Sequence, residues 1–157
     1  IYHRTEVYGK KPKNTVGNGW FEGIGYHYIG GTPLRGSNVF IRRFNDWRDK
    51  RNMIAHLDRN LNPNDCILFY GGQDVEFTMR VIKVAHKHGA FYTRDLCELP
   101  YGTGVETLSA IRKRKYTLER QFPQLDGVIA ISDTLATLAR SYTRKDCKIV
   151  KLPLIYI

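Results

Sequence analysis

Three places in the sequence combine chemically capable residues with a position where ligands are commonly met. Each follows a short apolar run. Cys66-Ile67-Leu68-Phe69-Tyr70 stops at Gly71-Gly72; Ala90-Phe91-Tyr92-Thr93 leads into Arg94-Asp95, with Glu98 close behind; Gly127-Val128-Ile129-Ala130-Ile131 gives way to Ser132-Asp133. A guanidinium stays protonated, so Arg94 is no general base, but its fork of donors suits a phosphate or a carboxylate. Asp95 is an acceptor-only carboxylate that could orient or deprotonate a hydroxyl, and Glu98 is a second candidate. The alternative for both is to satisfy backbone amides of their own loop. Gly71 and Gly72 either let the backbone approach a ligand closely or form a plain turn. Ser132 stands where a helix N-cap belongs, whatever ligand is nearby.

The elements that must hold these residues follow from periodicity. Between the apolar runs lie a helical stretch, Asp74 to His88, ended by Gly89, and a second one within Gly102 to Phe122, closed by Pro123. Short apolar runs alternating with helices imply parallel strands joined by crossover helices. The expected fold is therefore α/β, a Rossmann-like three-layer sandwich around a mainly parallel sheet. Such sheets bind ligands at the carboxyl ends of their strands. In the first helix Phe77, Val81, Val84, Ala85 and His88 make one stripe, with Asp74 and Glu76 at its start and Lys87 and His88 at its end, as the helix dipole favours. His86 and His88 sit about 200° apart on that helix, too far around for a shared metal. In the second, Val105, Leu108, Ile111, Leu118 and Phe122 form the expected apolar stripe, interrupted by Lys115. The run Arg112-Lys113-Arg114-Lys115 is either a solvated face or a surface for an anionic membrane or a phosphorylated acceptor. Ser132 starts a helix over Asp133 to Tyr142, and Lys148 to Pro153 is a last strand.

The first 64 residues are less regular. Ile1 to Tyr8 alternates like a half-solvated strand, and Lys10 to Asn18 is a basic loop. Gly17-Asn18-Gly19-Trp20-Phe21-Glu22-Gly23 resembles a dinucleotide-binding loop only in composition. It lacks the following helix whose N-terminus would meet a pyrophosphate. It leads instead into a strand-like Ile24 to Ile29, so its glycines are expected to be loop residues. Ser37 is the expected cap of a long helix, Asn38 to Leu61, with Phe40, Phe44, Trp47, Ile54, Leu57 and Leu61 as its buried stripe.

Composition bounds the function without naming it. The chain has 157 residues, 42% hydrophobic and 25% charged, so it is long enough for one domain with a real core and not disordered in composition. The formal charge of +10 favours anionic partners in general. No apolar run is long enough to span a membrane. The three cysteines show no CxxC spacing, which argues against a zinc site or disulfide framework; Cys66 and Cys147 are expected in the core.

Three stretches resemble the N-terminal half of GT-B glycosyltransferases, in particular the retaining group called family four. They are Asp65 to Gly71, Ala90 to Pro100, and Leu125-Asp126-Gly127-Val128-Ile129-Ala130-Ile131-Ser132-Asp133-Thr134-Leu135; Lys148 to Pro153 resembles the strand before that family's interdomain linker. The likeness covers about Asp65 to Pro153 and does not extend to the usual glycine-rich opening loop. Where many members carry a histidine before the aspartate, this chain has Arg94.

The resemblance implies a second domain beyond Ile157 that binds the nucleotide-sugar, and a metal-independent transfer of a sugar to a hydroxyl acceptor with retention. On that basis Asp95 is the expected catalytic residue, and Gly71, Gly72, Arg94, Glu98 and Ser132 the expected acceptor-binding residues. No cofactor is expected on this chain itself. The expected partners are a nucleotide-sugar and a glycan or glycolipid acceptor, with the membrane met through Arg112, Lys113, Arg114 and Lys115. The expected setting is cell-surface polysaccharide or glycolipid synthesis at the cytoplasmic side of a membrane. The rival readings are a non-enzymatic flavodoxin-like or receiver-like domain and a nucleic-acid-binding domain. Tyr70-Gly71-Gly72 supplies no phosphoacceptor aspartate for a receiver, and no RNA-binding aromatic signature or helix-turn-helix is present.

Overall fold

The computed structural model describes residues 18–27, 29, 38–70, 74–102 and 107–152. The chain divides into two compact units, residues 1–56 and 57–157. The strand expected at Ile1 to Tyr8 and the cap expected at Ser37 lie outside the described residues.

In the first unit, strands β1 (Asn18–Phe21) and β2 (Ile24–His27) pair antiparallel, Asn18 opposite His27 and Phe21 opposite Ile24. Residues 18–27 are thus a hairpin: Gly23 is a turn residue as expected, the loop expectation is corrected for Gly19, which lies in β1, and Gly17 lies outside the described residues. Glu22 and Gly23 have φ of 49° and 80°, the left-handed pair whose twist suits a two-residue hairpin connection. Helix α1 (Val39–Asn60) starts where the Asn38 side chain accepts the Phe40 amide at 2.8 Å.

The buried stripe expected on α1 holds only toward its end. Leu57 is buried, but Phe40 is 79% and Trp47 53% exposed. Spacing marks which face of a helix is apolar; it does not say how far a neighbour covers that face. Arg51 instead stacks over Trp47, 4.7 Å from the ring centre.

The second unit carries the parallel sheet, in the order β3-β4-β5-β6: β3 (Cys66–Phe69), β4 (Phe91–Leu96), β5 (Gly127–Ala130) and β6 (Lys148–Lys151). Helix α2 (Val75–Lys87) joins β3 to β4, and α4 (Asp133–Tyr142) joins β5 to β6. The chain is therefore an α/β protein, a Rossmann-like sandwich with helices flanking a parallel sheet. The Asp74 side chain caps α2 by accepting the Phe77 amide at 3.0 Å, and Gly89, at φ 69°, follows its end.

Neighbouring residues in this register share a face. Tyr92, Arg94, Leu96, Val128 and Ala130 are all buried on one face, with Val81, Ile82 and Ala85 of α2 in the same core. Cys66, Leu68, Phe91 and Val150 alternate onto the other face and are exposed, so Cys66 is not the core residue expected. Cys147 is half-buried.

β4 runs three residues further than its apolar run suggested. Arg94, Asp95 and Leu96 pair with Val128, Ile129 and Ala130. Backbone ladder bonds hold these residues extended despite two charged side chains.

The connection from β4 to β5 also departs from regular periodicity. Helix α3 (Leu108–Tyr116) widens into a π-helical turn (Thr117–Gln121), whose Phe122 amide bonds to the Thr117 carbonyl, then tightens into a 3-10 turn (Phe122–Gln124). One extra residue in the turn rotates everything after it. Leu118 and Phe122 are buried as expected, but Leu108 is 75% exposed and Ile111 is exposed too. Val105 lies outside the described residues.

Asp126 ties this unit together at the amino ends of the strands. One carboxylate oxygen accepts the Tyr92 amide at 2.8 Å and meets His86 Nε2 at 2.8 Å; the other accepts Arg144 Nη2 at 2.7 Å.

Candidate functional site

Arg94 is the most unusual residue of the sheet. It faces the helices and is only 8% exposed. Its Nη1 donates to the Gln121 side-chain oxygen at 3.1 Å, and the Gln121 amide nitrogen donates to the Val75 carbonyl at 2.9 Å. One neutral amide therefore joins the guanidinium to the first residue of α2. Gln121 reaches this place because it ends the π turn, which buries it to 1% exposure.

Beside it, Tyr92 is fully buried, and its hydroxyl has no hydrogen-bond partner among the described residues. Burial pushes its phenol pKa well up, with the Arg94 charge opposing.

Tyr101 completes this cluster from the loop after β4. Its φ is +54°, a left-handed conformation that a bulky side chain adopts only when its surroundings enforce it. Arg114 supplies that constraint, donating from Nε to the Pro100 carbonyl at 3.2 Å and from Nη2 to the Tyr101 carbonyl at 3.1 Å. Burial raises the Tyr101 phenol pKa; the charge of Arg94 and contact with Thr117 work against this, while Asp74 adds to it. Lys113 lies 5.9 Å from the Tyr101 ring centre. Within the cationic run, Arg114 is thus half-buried and clamps a loop, whereas Arg112, Lys113 and Lys115 are exposed.

Asp95 is adjacent to Arg94 in sequence but not in space, because successive strand residues point to opposite faces. Half-buried on the other face, it accepts the Cys97 S–H at 3.0 Å. That bond, with burial and the charges of Asp95 and Glu98, pushes the Cys97 thiol up to about 11. At neutral pH Cys97 is a protonated thiol and a poor nucleophile.

Glu98 is exposed on the following loop. Ser132 accepts the Leu135 amide at 3.3 Å and so caps α4, whose first residue Asp133 pairs with Lys151 at 2.9 Å. Gly71 and Gly72 lie outside the described residues.

Of the expected site residues, then, Arg94 gains partners the sequence did not indicate, and Asp95 is separated from it by the sheet. Gln121, Tyr101 and Thr117 were not foreseen. The only sequence signal for them was a glutamine on a helical segment next to buried Phe122, and a tyrosine after Leu99-Pro100.

Among the described residues, no group of three or more His, Cys, Asp or Glu side chains could hold a metal ion. His86 and His88 each take their own carboxylate, Asp126 and Asp58. No described helix is long and apolar enough to cross a membrane.

The fold and this cluster define an α/β protein with a buried guanidinium on its central β4–β5 pair. No family model, curated protein or solved structure matches the chain.

Proposed function

We propose that this chain is the acceptor-binding half of a retaining glycosyltransferase. The full protein would move a sugar from a nucleotide-sugar to a hydroxyl acceptor in cell-surface polysaccharide or glycolipid synthesis.

The observation that carries this reading is local. Leu125 to Leu135, the stretch most like the GT-B pattern, folds as parallel strand β5, the cap at Ser132 and helix α4, as that pattern requires. Ligands of such sheets sit beyond the carboxyl ends of the strands. The residues near the end of β4 suit a polyhydroxylated acceptor: Asp95 and Glu98 can accept from sugar hydroxyls, while Arg94 and Tyr101, on the helix-covered side of the sheet, would donate to a different part of the acceptor. Asp95 is the group proposed to draw the proton from the attacking hydroxyl. The donor would be held by a second domain and need no cation. Arg112, Lys113 and Lys115 would meet an anionic membrane surface at its cytoplasmic side.

The test uses the protein that carries this chain, with labelled UDP- and GDP-hexoses and a membrane extract as acceptor source. Asp95→Asn and Glu98→Gln should each lower transfer, with kcat falling more than KM rises for Asp95→Asn. Full transfer by both variants would remove these residues from the site. Residues 1–157 alone should bind nucleotide-sugars weakly or not at all in calorimetry, and tight binding there would sink the assignment.

A further inference from the structure

We infer that Arg94 anchors an oxyanion, a phosphate or a carboxylate, on the molecule that accepts the sugar, with Gln121 steering the guanidinium and Tyr101 beside it. The identity of the ligand as an acceptor rests on the function proposed above; the anion site itself rests on the following geometry.

A guanidinium cannot shed its charge in a protein. Buried to 8% exposure, Arg94 has lost most of its hydration. Among the described residues its one hydrogen bond goes to the neutral Gln121 amide, and no carboxylate forms an ion pair with it. A buried charge without a counter-charge is strongly unfavourable.

A purely structural role would not need this arrangement. A methionine of similar length would fill the space beneath α2 without desolvating a charge, and such replacements of buried ionic groups are often neutral or stabilising.

The geometry also leaves the group usable. Gln121 holds only Nη1, which leaves Nε and Nη2 as the pair of donors suited to a bidentate oxyanion. Tyr92 Oη is fully enclosed without a partner, whereas Nε and Nη2 of Arg94 are not among the fully enclosed unpartnered atoms of the described residues.

The surroundings fix the guanidinium in advance. Gln121 is itself held by the Val75 carbonyl, at 2.9 Å. Tyr101 stands next to the Arg94 charge in a strained backbone conformation that Arg114 maintains. Strain held in place by a dedicated clamp is common where a ligand is gripped. Of the two acids at the start of α2, Asp74 caps the helix through the Phe77 amide and Glu76 pairs with Arg80.

The test is a titration of the 157-residue chain with sodium phosphate, pyrophosphate and glucuronate, each at constant ionic strength, followed by calorimetry and amide NMR. At least one anion should bind saturably and shift the amides of β4 and of Thr117 to Gln121. Arg94→Met should weaken that binding by at least about tenfold, the usual cost of losing a charged hydrogen-bonded pair, while melting no lower than wild type. Gln121→Glu provides an independent check, because it supplies an internal carboxylate. It should abolish anion binding; because a carboxylate cannot donate to the Val75 carbonyl as the Gln121 amide does, the readout is anion binding by the folded variant and not its melting temperature.

Preference for phosphate or pyrophosphate would identify a phosphorylated acceptor, and preference for glucuronate an acidic sugar. The inference is overturned if none of the three anions binds saturably. It is equally overturned if either variant that folds binds the anion as wild type does.

The two readings fail separately. Saturable anion binding in a protein that transfers no sugar refutes the enzymatic function and leaves the anion site. Undiminished transfer by Arg94→Met refutes the anion site as an acceptor anchor and leaves the enzyme.

Discussion

Replacing Asp126 with alanine should destabilise the sheet-bearing unit by about 2–4 kcal/mol, and the structure shows how that magnitude arises. Its side chain is 16% exposed and meets three donors at once. The bond from the Tyr92 amide is charge-assisted and partly buried, and its loss leaves an enclosed N–H without an acceptor, worth about 1.5–3 kcal/mol. The Arg144 and His86 partners are 42% and 33% exposed, so solvent screens them and each adds only about 0.2–1 kcal/mol. Asp126→Asn keeps an oxygen for the Tyr92 amide and loses mainly charge, so it should cost about 1–2 kcal/mol.

Urea unfolding followed by circular dichroism gives both values. In thermal melts the alanine variant should fall by about 5–15 °C, using roughly 2–4 °C per kcal/mol for a chain of this size.

The dependence on pH supplies a second, independent check. Burial alone would raise the Asp126 pKa; the Tyr92 amide, His86 and Arg144 together outweigh it and hold the carboxyl below its ordinary value of 3.8. A carboxyl whose pKa is lower when folded than when unfolded stabilises the fold above the unfolded value. That stability is lost as pH falls through the folded value. The gap between wild type and Asp126→Asn should therefore shrink as pH falls below about 4. Equal costs for the two substitutions, or a gap that persists undiminished at low pH, would refute the reasoning.

The remaining predictions concern single side chains. Tyr92→Phe removes a buried hydroxyl that has no partner among the described residues, so it should be neutral or stabilise by up to about 1 kcal/mol in urea unfolding; a clear loss would mean the hydroxyl is satisfied. Asp95→Asn removes the largest cause of the high Cys97 pKa, so more thiolate forms and alkylation of Cys97 at pH 8, read by mass spectrometry, should speed up at least about tenfold. An unchanged rate would show that the Cys97–Asp95 bond does not control the thiol. Changing Arg112, Lys113 and Lys115 together to alanine should weaken binding to phosphatidylserine vesicles by about 1 kcal/mol per residue at low salt. Equal sedimentation with vesicles would remove α3 as the membrane-facing surface.

Much of the sheet was legible because strands buried on one face, turn residues and helix caps are written locally. Ser132 and Asp74 cap the helices that begin beside them, and the apolar runs at Cys66, Ala90 and Gly127 became β3, β4 and β5. Local signals failed where pairing or an irregular turn took over. The glycines near residue 20 suggested a loop because their composition is turn-like; Gly23 is indeed a turn residue, but ladder bonds to Ile24–His27 put Gly19 in a strand. The stripe on α3 was projected at a constant helical period, and the π turn at Thr117–Gln121 broke that period. Cys66 looked like core because its run is apolar, and alternation put it on an exposed face.

That β5 gives way to a helix capped by Ser132 was readable from the sequence alone, because an apolar run and its polar terminator are contiguous in the chain; the strand end expected at Arg94-Asp95 was not, since ladder pairing carries β4 on to Leu96. Whether Arg94 and Asp95 act together was not readable either. Once β5 extends the ladder through Leu96, the two-residue period of a strand sends them to opposite faces. Tertiary packing then gave Arg94 its real neighbours, Gln121 from 27 residues away and Tyr101 from the next loop. Sequence specifies a residue's charge and its place along an element. The surroundings that set what the charge can do come from segments distant in the chain, and only folding brings those together.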